Sequence, residues 1–254
     1  MTAKKVTNLW IPYRKPSSHS RLRLFCFPYA GGSASVFRDW FNFFPPEIDI
    51  CAIQYPGRER RMNEPQFTSL PPLVDMLAEA LLPELDIPFA FLGHSLGALI
   101  SFELARLFQK KGITPIHLFV SSYRAPTIQD KEDKSHLLPD NEFVEKLYKH
   151  NGTPASVLEN RELMNLLLPT IRADFAISET YVYSPSVLLN CPISAYGGIA
   201  DPDVKYDDLK SWEEQTINSF NVRMFPGDHF YIRNKPEGII NSILKELLTN
   251  RGSW

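Results

Sequence analysis

Ser95 sits in Phe91-Leu92-Gly93-His94-Ser95-Leu96-Gly97, where an apolar run enters Gly-x-Ser-x-Gly and leaves in a segment with helical spacing. Two glycines at that spacing allow a strained strand-to-helix turn that lifts a serine hydroxyl above a sheet, with a helix N-terminus pointing at the reaction. Three fixed residues of such common types recur by chance, so the flanks carry the assignment: Pro88–Leu92 reads as a buried strand and Ala98–Phe108 as a helix. Ser95 is therefore the expected nucleophile, against the plain alternative of a small-residue helix cap.

A serine needs a base and an acid that orients the base, and after an elbow of this kind they follow in the chain order acid, then histidine. Asn190–Gly197 is strand-like and runs into a turn carrying Asp201 and Asp203; Asn221–Phe225 is a further strand followed by Pro226-Gly227-Asp228-His229-Phe230. Both turns fall at the strand ends where open α/β sheets place their chemistry. Of the six histidines, His229 alone has the position for a base. His19 precedes the core, His136 and His150 lie in a polar insertion, His94 is locked in the elbow, and His117 opens an apolar strand as a packing residue. His229 itself has a bland reading, a loop residue capping the helix after Pro236. Asp201 is the preferred acid, with Asp203 second and Asp228 third. The roles would be proton acceptance from Ser95 by His229 and fixing of its tautomer by Asp201.

A tetrahedral intermediate also needs two backbone donors. Leu96 supplies one N–H, directly after the nucleophile. Arg23–Phe27 is the first core strand, and the small residues of Tyr29-Ala30-Gly31-Gly32 behind it would supply the other. Ala30 is the first choice, with Tyr29 or Gly31 as alternatives of register.

These residues must be positioned by alternating elements. Strands are expected near 22–28, 48–54, 88–93, 116–121, 192–197 and 221–225, and helices near 35–44, 69–83, 96–111, 206–217 and 236–249, which specifies a mainly parallel sheet covered on both faces. The lead-in is compatible with an antiparallel edge strand. Between Ser121 and Cys191 the rhythm breaks into the polar run Gln129–Lys134 and two amphipathic helix candidates, Asp140–His150 and Arg161–Ala176, the second capped by Asn160 or Glu159. A structureless loop of that length is improbable in a compact domain. An inserted helical lid over about 126–185 is the expectation, its surplus apolar residues, Leu167 and Phe175 among them, either lining an acyl tunnel or packing the lid to the body.

Phe-Pro-Tyr-Ala-Gly-Gly-Ser at 27–33, Tyr-Pro-Gly-Arg-Glu at 55–59, Gly-His-Ser-Leu-Gly at 93–97, Ile-Arg-Ala-Asp at 171–174, Asp-Pro-Asp-Val at 201–204 and Gly-Asp-His-Phe at 227–230 together resemble the type II thioesterases. These are free-standing α/β-hydrolases serving nonribosomal peptide and polyketide synthases, and the family includes the related medium-chain thioesterase of animal fatty acid synthesis. The resemblance runs from about Trp10 to Leu248 and implies an α/β-hydrolase fold, the catalytic residues Ser95, Asp201 and His229, an oxyanion hole from Ala30 and Leu96, and no cofactor. It implies hydrolysis of acyl or aminoacyl thioesters from the phosphopantetheine arm of a carrier protein, freeing a misprimed synthase. Arg58, in the charge run 58–61, would then meet the carrier's acidic surface or the phosphopantetheine phosphate, although such a run is usually a solvated loop. Ile171–Asp174 reads as structural, an ion pair anchoring the lid helix. A medium-chain chain-terminating thioesterase or a general carboxylesterase is the runner-up, and a non-catalytic binding module on a hydrolase fold stands further off.

The composition agrees. A chain of 254 residues with 44% apolar content can bury one substantial core as a single domain over 1–254, and a net charge of −2 argues against nucleic-acid binding. Cys26, Cys51 and Cys191 lie in or beside apolar strand-like runs and read as buried free thiols in a reducing compartment. No Cys-x-x-Cys or His-x-x-x-His suggests a metal. No apolar stretch follows the N-terminal Met1–Val6 and none is long enough to span a membrane, so a cytoplasmic monomer is expected.

Overall fold

The computed structural model describes residues 8–128, 134–150 and 155–249. Met1–Val6 and the polar run at 129–133 lie outside them. Seven strands form one sheet: β1 (Tyr13–Arg14), β2 (Leu22–Phe27), β3 (Ile48–Ala52), β4 (Phe89–His94), β5 (His117–Ser121), β6 (Ile193–Gly198) and β7 (Phe220–Phe225), in the order β1-β3-β2-β4-β5-β6-β7. All neighbours are parallel except β1, which pairs antiparallel with β3 at the edge.

The helices are α1 (Leu70–Leu81), α2 (Leu96–Lys110), α3 (Asp140–His150), α4 (Ala155–Leu158), α5 (Arg161–Glu179), α6 (Tyr206–Lys210), α7 (Tyr231–Asn234) and α8 (Glu237–Thr249). Two expected helices differ in kind. The segment expected at 35–44 is a 3-10 helix over Ala34–Asn42, and the one at 206–217 divides into α6 and a 3-10 turn, Ser211–Gln215. In the first, aromatic residues at close spacing pack Phe37 on Trp40 edge-to-face at 5.3 Å, an arrangement that periodicity alone does not distinguish from an α-helix.

Strands buried on both faces read as continuous apolar runs, and their side chains alternate between two cores. Phe25, Phe27, Phe89, Phe91, Leu118 and Val120 face α1 and α2. Leu24, Cys26, Ala90, Leu92 and Phe119 face the first 3-10 helix and α8, where Trp40, Ile239, Ile243 and Leu247 meet them. Phe91 stands edge-to-face with Phe25 and Phe27 at 5.8 and 5.3 Å. A buried phenylalanine of this kind is worth ~3–5 kcal/mol against alanine, a large share of the ~5–15 kcal/mol that holds a domain together.

The chain leaves β2 for β3 on one side and returns across the sheet to β4 on the other, so the sheet order reverses between β2 and β4. Ligand crevices open at such a switch point, at the strands' carboxyl ends. Tyr29 and Ala30 follow β2 there, and Ser95 follows β4.

Between β5 and β6 the chain builds a small third core of Phe143, Leu147, Leu158, Met164, Leu168 and Ile171 from α3, α4 and α5. Asn160 caps α5, its side-chain oxygen accepting from the Leu163 amide at 3.1 Å. Pro169 interrupts the hydrogen bonding of α5, and beyond it Thr170 and Asp174 are buried against the body. Arg172 bonds Asp140 at 2.6 Å and so ties α5 to the start of α3. Among the described residues no helix is long and apolar enough to cross a membrane. The three cysteines are free and buried.

His117 packs as a core residue, stacked on Phe119 at 4.1 Å with Nε2 2.8 Å from Ser194 Oγ. Burial pushes its pKa from 6.5 down to about 3. Below pH 6.5 the unfolded chain takes up a proton that the folded state refuses, so stability falls with pH by up to ~1.4 kcal/mol per unit from this residue. The urea midpoint of a His117→Phe variant should therefore decline less steeply than the parent's between pH 6.5 and 5. Equal slopes would contradict a neutral buried imidazole.

Candidate active site

Ser95 occupies a single residue between the end of β4 and the first turn of α2, at φ 53° and ψ −123°. That conformation costs a non-glycine residue on the order of 1–3 kcal/mol and persists only where its surroundings impose it. Here the Ser95 amide donates to the Ser121 carbonyl at 2.7 Å, and the Ser95 carbonyl accepts from the Ala98 amide at 2.8 Å. The flanking backbone leaves no space for side chains. A Cβ on Gly93 would lie 2.2 Å from the Gly97 carbonyl oxygen, and one on Gly97 would lie 2.1 Å from that of Phe27.

His229 follows β7 and Asp201 follows β6, and the two loops are joined by the Ala200 amide donating to the Gly227 carbonyl at 2.9 Å. His229 Nε2 stands 3.0 Å from Ser95 Oγ, and Nδ1 stands 2.9 Å from Asp201 Oδ2. The chain of contacts assigns the proton to Nδ1, donated to the carboxylate, and leaves Nε2 to accept from the serine hydroxyl. Asp201 is 1% exposed, and its second oxygen accepts from the amides of Asp203 at 2.9 Å and Val204 at 3.2 Å. Burial alone would raise its pKa, but the His229 hydrogen bond and charge and the two amides outweigh burial and hold it below the ordinary carboxylate value. Asp203 is exposed at the cleft wall, with a carboxylate oxygen within 4.8 Å of donor atoms of Asp201 and His229, and the Asp228 carboxylate accepts from the Phe230 amide at 2.9 Å.

The cleft above Ser95 has a volume of about 170 Å³ and is bordered by Tyr29, Ala30, Leu96, Ile171, Phe175 and His229, among others. Tyr29–Gly32 form a turn closed by the Gly32 amide donating to the Tyr29 carbonyl at 2.8 Å. The Gly31 amide is committed to Asp174 Oδ2 at 2.7 Å, which removes Gly31 from the possible donors to an oxyanion. Ala30 and Leu96 border the cleft beside the serine.

Two expected substrate contacts are corrected. Arg58 is 5% exposed and grips Asp174 with both nitrogens, Nη1 to Oδ2 at 2.6 Å and Nη2 to Oδ1 at 2.8 Å. Two further donors go to the carbonyls of Gly32 and Pro56, and burial withholds the group from a carrier or a phosphate at the surface. A buried guanidinium requires a carboxylate partner, and this one comes from a helix 116 residues away. Leu167 and Phe175, both half-buried, pack against the third core, and of the two Phe175, two turns further along α5 and edge-to-face with Phe143 at 5.2 Å, also borders the cleft.

Sequence reasoning missed the support behind His94. Its Nδ1 stands 2.8 Å from Ser121 Oγ, which stands 2.7 Å from the Tyr231 hydroxyl, joining the ends of β4 and β5 to α7. Burial, with the neighbouring His229 charge added, pushes the His94 pKa well below 6.5. His94 is therefore neutral and no competitor for the serine proton. Tyr231 lies 110 residues from Ser121, and no local pattern signals the pairing.

Among the described residues, Asp201, Asp203 and His229 are the one acidic and histidine set with donor atoms mutually within 4.8 Å. With Nδ1 protonated toward Asp201, that nitrogen has no lone pair for a metal ion.

A thioesterase domain family model matches residues 22–247. The chain is 48% identical to the gramicidin S biosynthesis protein GrsT of Aneurinibacillus migulanus over 248 residues, 97% of each chain. It superposes on the type II thioesterase BorB from the borrelidin biosynthetic cluster with a TM-score of 0.87 at 37% identity, covering 94% of this chain and 98% of that one. ClbQ from the colibactin NRPS/PKS pathway gives a TM-score of 0.88 at 31% identity, with coverage of 92% and 100%.

A phosphonate ester that modifies activated serines should label Ser95. Asp201→Asn should slow that labelling by a factor on the order of 10⁴ through the wrong histidine tautomer, and Asp203→Asn far less. The opposite ranking, read by mass spectrometry of the modified peptide, would transfer the orienting role to Asp203.

Proposed function

The chain belongs to the thioesterase domain family, and from that premise we propose that Ser95, His229 and Asp201 hydrolyse acyl or aminoacyl thioesters on the phosphopantetheine arm of a carrier protein. It is a thioester hydrolase of the kind that serves nonribosomal peptide and polyketide synthesis. The observation that carries the catalytic reading is the unbroken path from Ser95 Oγ through His229 to Asp201, at 3.0 and 2.9 Å.

Ser95 Oγ attacks the thioester carbonyl carbon while His229 Nε2 takes the hydroxyl proton. The carbonyl oxygen becomes an oxyanion held by the amides of Leu96 and Ala30, at the N-terminus of α2 and in the loop after β2. Collapse of the intermediate breaks the carbon–sulfur bond, and the imidazolium returns its proton to the departing thiolate. Water then enters, loses a proton to His229 and attacks the acyl-serine, releasing the acid and restoring Ser95. Asp201, ionised throughout, stabilises the imidazolium in both halves. No cofactor takes part in these steps.

The carrier-protein substrate rests on the relatives, whose names tie them to gramicidin S, borrelidin and colibactin biosynthesis. The size of the cleft favours short acyl groups: about 170 Å³ falls below the ~300–1,000 Å³ of drug-sized ligand sites. The α3–α5 insertion, whose Leu147, Ile171 and Phe175 border the cleft, acts in this reading as a lid. We place the enzyme in the cytoplasm, acting as a monomer.

Ser95→Ala should abolish turnover apart from what binding and the oxyanion donors supply. With the parent, kcat/KM for a short acyl group on a carrier protein should exceed that for the same group on coenzyme A, because docking adds binding energy. Equal values on the two would favour the carboxylesterase alternative. Phe175→Ala should shift the acyl-chain preference toward longer groups and, because it also loses contacts with the third core, lower Tm. Leu167→Ala should lower Tm, at a cost below the ~2–5 kcal/mol of a fully buried leucine, since Leu167 is half-buried, and leave the chain-length profile as it was.

A further inference from the structure

We propose that Asp174, on the helix that covers the cleft, is a positioning residue for the oxyanion loop, acting through its hydrogen bond from the Gly31 amide. The turn at Tyr29–Gly32 has its closing bond from the Gly32 amide to the Tyr29 carbonyl at 2.8 Å and Gly31 at φ +73°. Positive φ at the third residue alone defines a type II turn. Type I and type II turns differ by a flip of the central peptide plane, here the one between Ala30 and Gly31. That plane is anchored by Asp174 Oδ2, which accepts the Gly31 N–H at 2.7 Å. Rotating the plane would aim the Ala30 carbonyl oxygen at a carboxylate and would turn ψ of Ala30, the residue assigned as the second oxyanion donor.

The carboxylate is itself held firmly. Arg58 binds both of its oxygens and also donates to the Gly32 carbonyl at 3.0 Å, so the loop is gripped on either side of the glycine pair. Next to Asp174 on α5, Thr170 donates to the Gly57 carbonyl at 2.7 Å, and Ile171 packs where a Cβ on Gly31 would come within 3.0 Å of it. Asp174 is 2% exposed and lies outside the cleft lining. It touches no reacting atom and acts through Gly31.

The inference rests on the assignment of Ala30 as an oxyanion donor. Two double variants isolate the acceptor from the ion pair: Arg58→Met with Asp174→Asn, and Arg58→Met with Asp174→Leu. Both remove the buried charges together, which a folded chain tolerates far better than removing one partner, and only the first keeps an oxygen for the Gly31 amide. Each is compared for Tm, for kcat and KM on one acyl-carrier substrate, and for affinity toward a short-chain trifluoromethyl ketone, whose adduct with the serine carries an oxyanion.

The leucine double variant should run ~10- to 100-fold slower in kcat than the asparagine one, in the range of a lost or displaced oxyanion donor. KM should be similar, and the ketone should bind more weakly by a comparable factor. A fold-only role would lower Tm in both and leave their kcat and ketone affinity equal, and equality at any level overturns the proposal. Ser95→Ala in the same assay separates this outcome from failure of the catalytic reading: full activity there removes the serine mechanism and the inference with it.

Discussion

No room exists for a methyl group at either glycine of the Gly93–Gly97 turn, and the site follows from that exclusion. The carbonyl of Gly97 closes on Gly93, and the carbonyl of Phe27 closes on Gly97, so the end of β2, the serine turn and the first turn of α2 are pressed into one unit. This contact sets the distance between the loop after β2 and the serine after β4, which side-chain packing alone would leave free to vary by an ångström or more. Backbone-to-backbone contact resists compression and has no rotamers. The proposed mechanism, in which two amides and one hydroxyl converge on a single carbonyl group, therefore begins from a geometry set by backbone contact.

The residues proposed to bear the chemistry were legible because each sits beside a local signal. Ser95 lies between a five-residue apolar strand and a helical period, and His229 and Asp201 each follow a strand by a few residues, with turn formers marking the ends. Physical reasoning from the chain placed these side chains at one sheet edge, and the distances of 3.0 and 2.9 Å belong to the folded chain. What stayed hidden are pairings over long separations. Arg58 has the appearance of a solvated charge in a run of charges, and only the fold reveals the carboxylate from α5 that closes over it. Leu167 and Phe175 look equivalent in a helix richer in apolar residues than one stripe needs, yet they lie about 80° apart around its axis at ~100° per residue. Both pack against the insertion's own core, and that angle brings Phe175 alone of the two to the cleft as well. The 3-10 helix at Ala34–Asn42 escaped because its apolar spacing also satisfies an α-helix.

Electrostatically the site separates three groups that sit almost in contact. Asp201 is held ionised by two amides and an imidazole, His94 is held neutral by its surroundings, and His229 lies between them with rings 5.5 Å from His94. Were His94 able to take up a proton, it would repel the imidazolium that the reaction must form on His229. Packing it against Tyr29, Phe230 and Tyr231, with its one used nitrogen on Ser121, removes that possibility. The cost is a second nitrogen, Nε2, buried with no hydrogen-bond partner, as Nδ1 of His117 is in the core.

The buried cysteines acquire a meaning from the substrate. Thioesters pass their acyl groups readily to thiolates, so an exposed, ionisable cysteine on a thioester hydrolase would compete with its own serine and end as a dead-end acylated protein. Burial raises the Cys26 and Cys51 thiols far above their ordinary value and pushes Cys191 up to about 12. Since the thiolate is the nucleophile, all three are withdrawn from transthioesterification twice over, by protonation and by lack of access. The acyl group that reaches this surface then has one acceptor, and the path from thioester to acid does not branch.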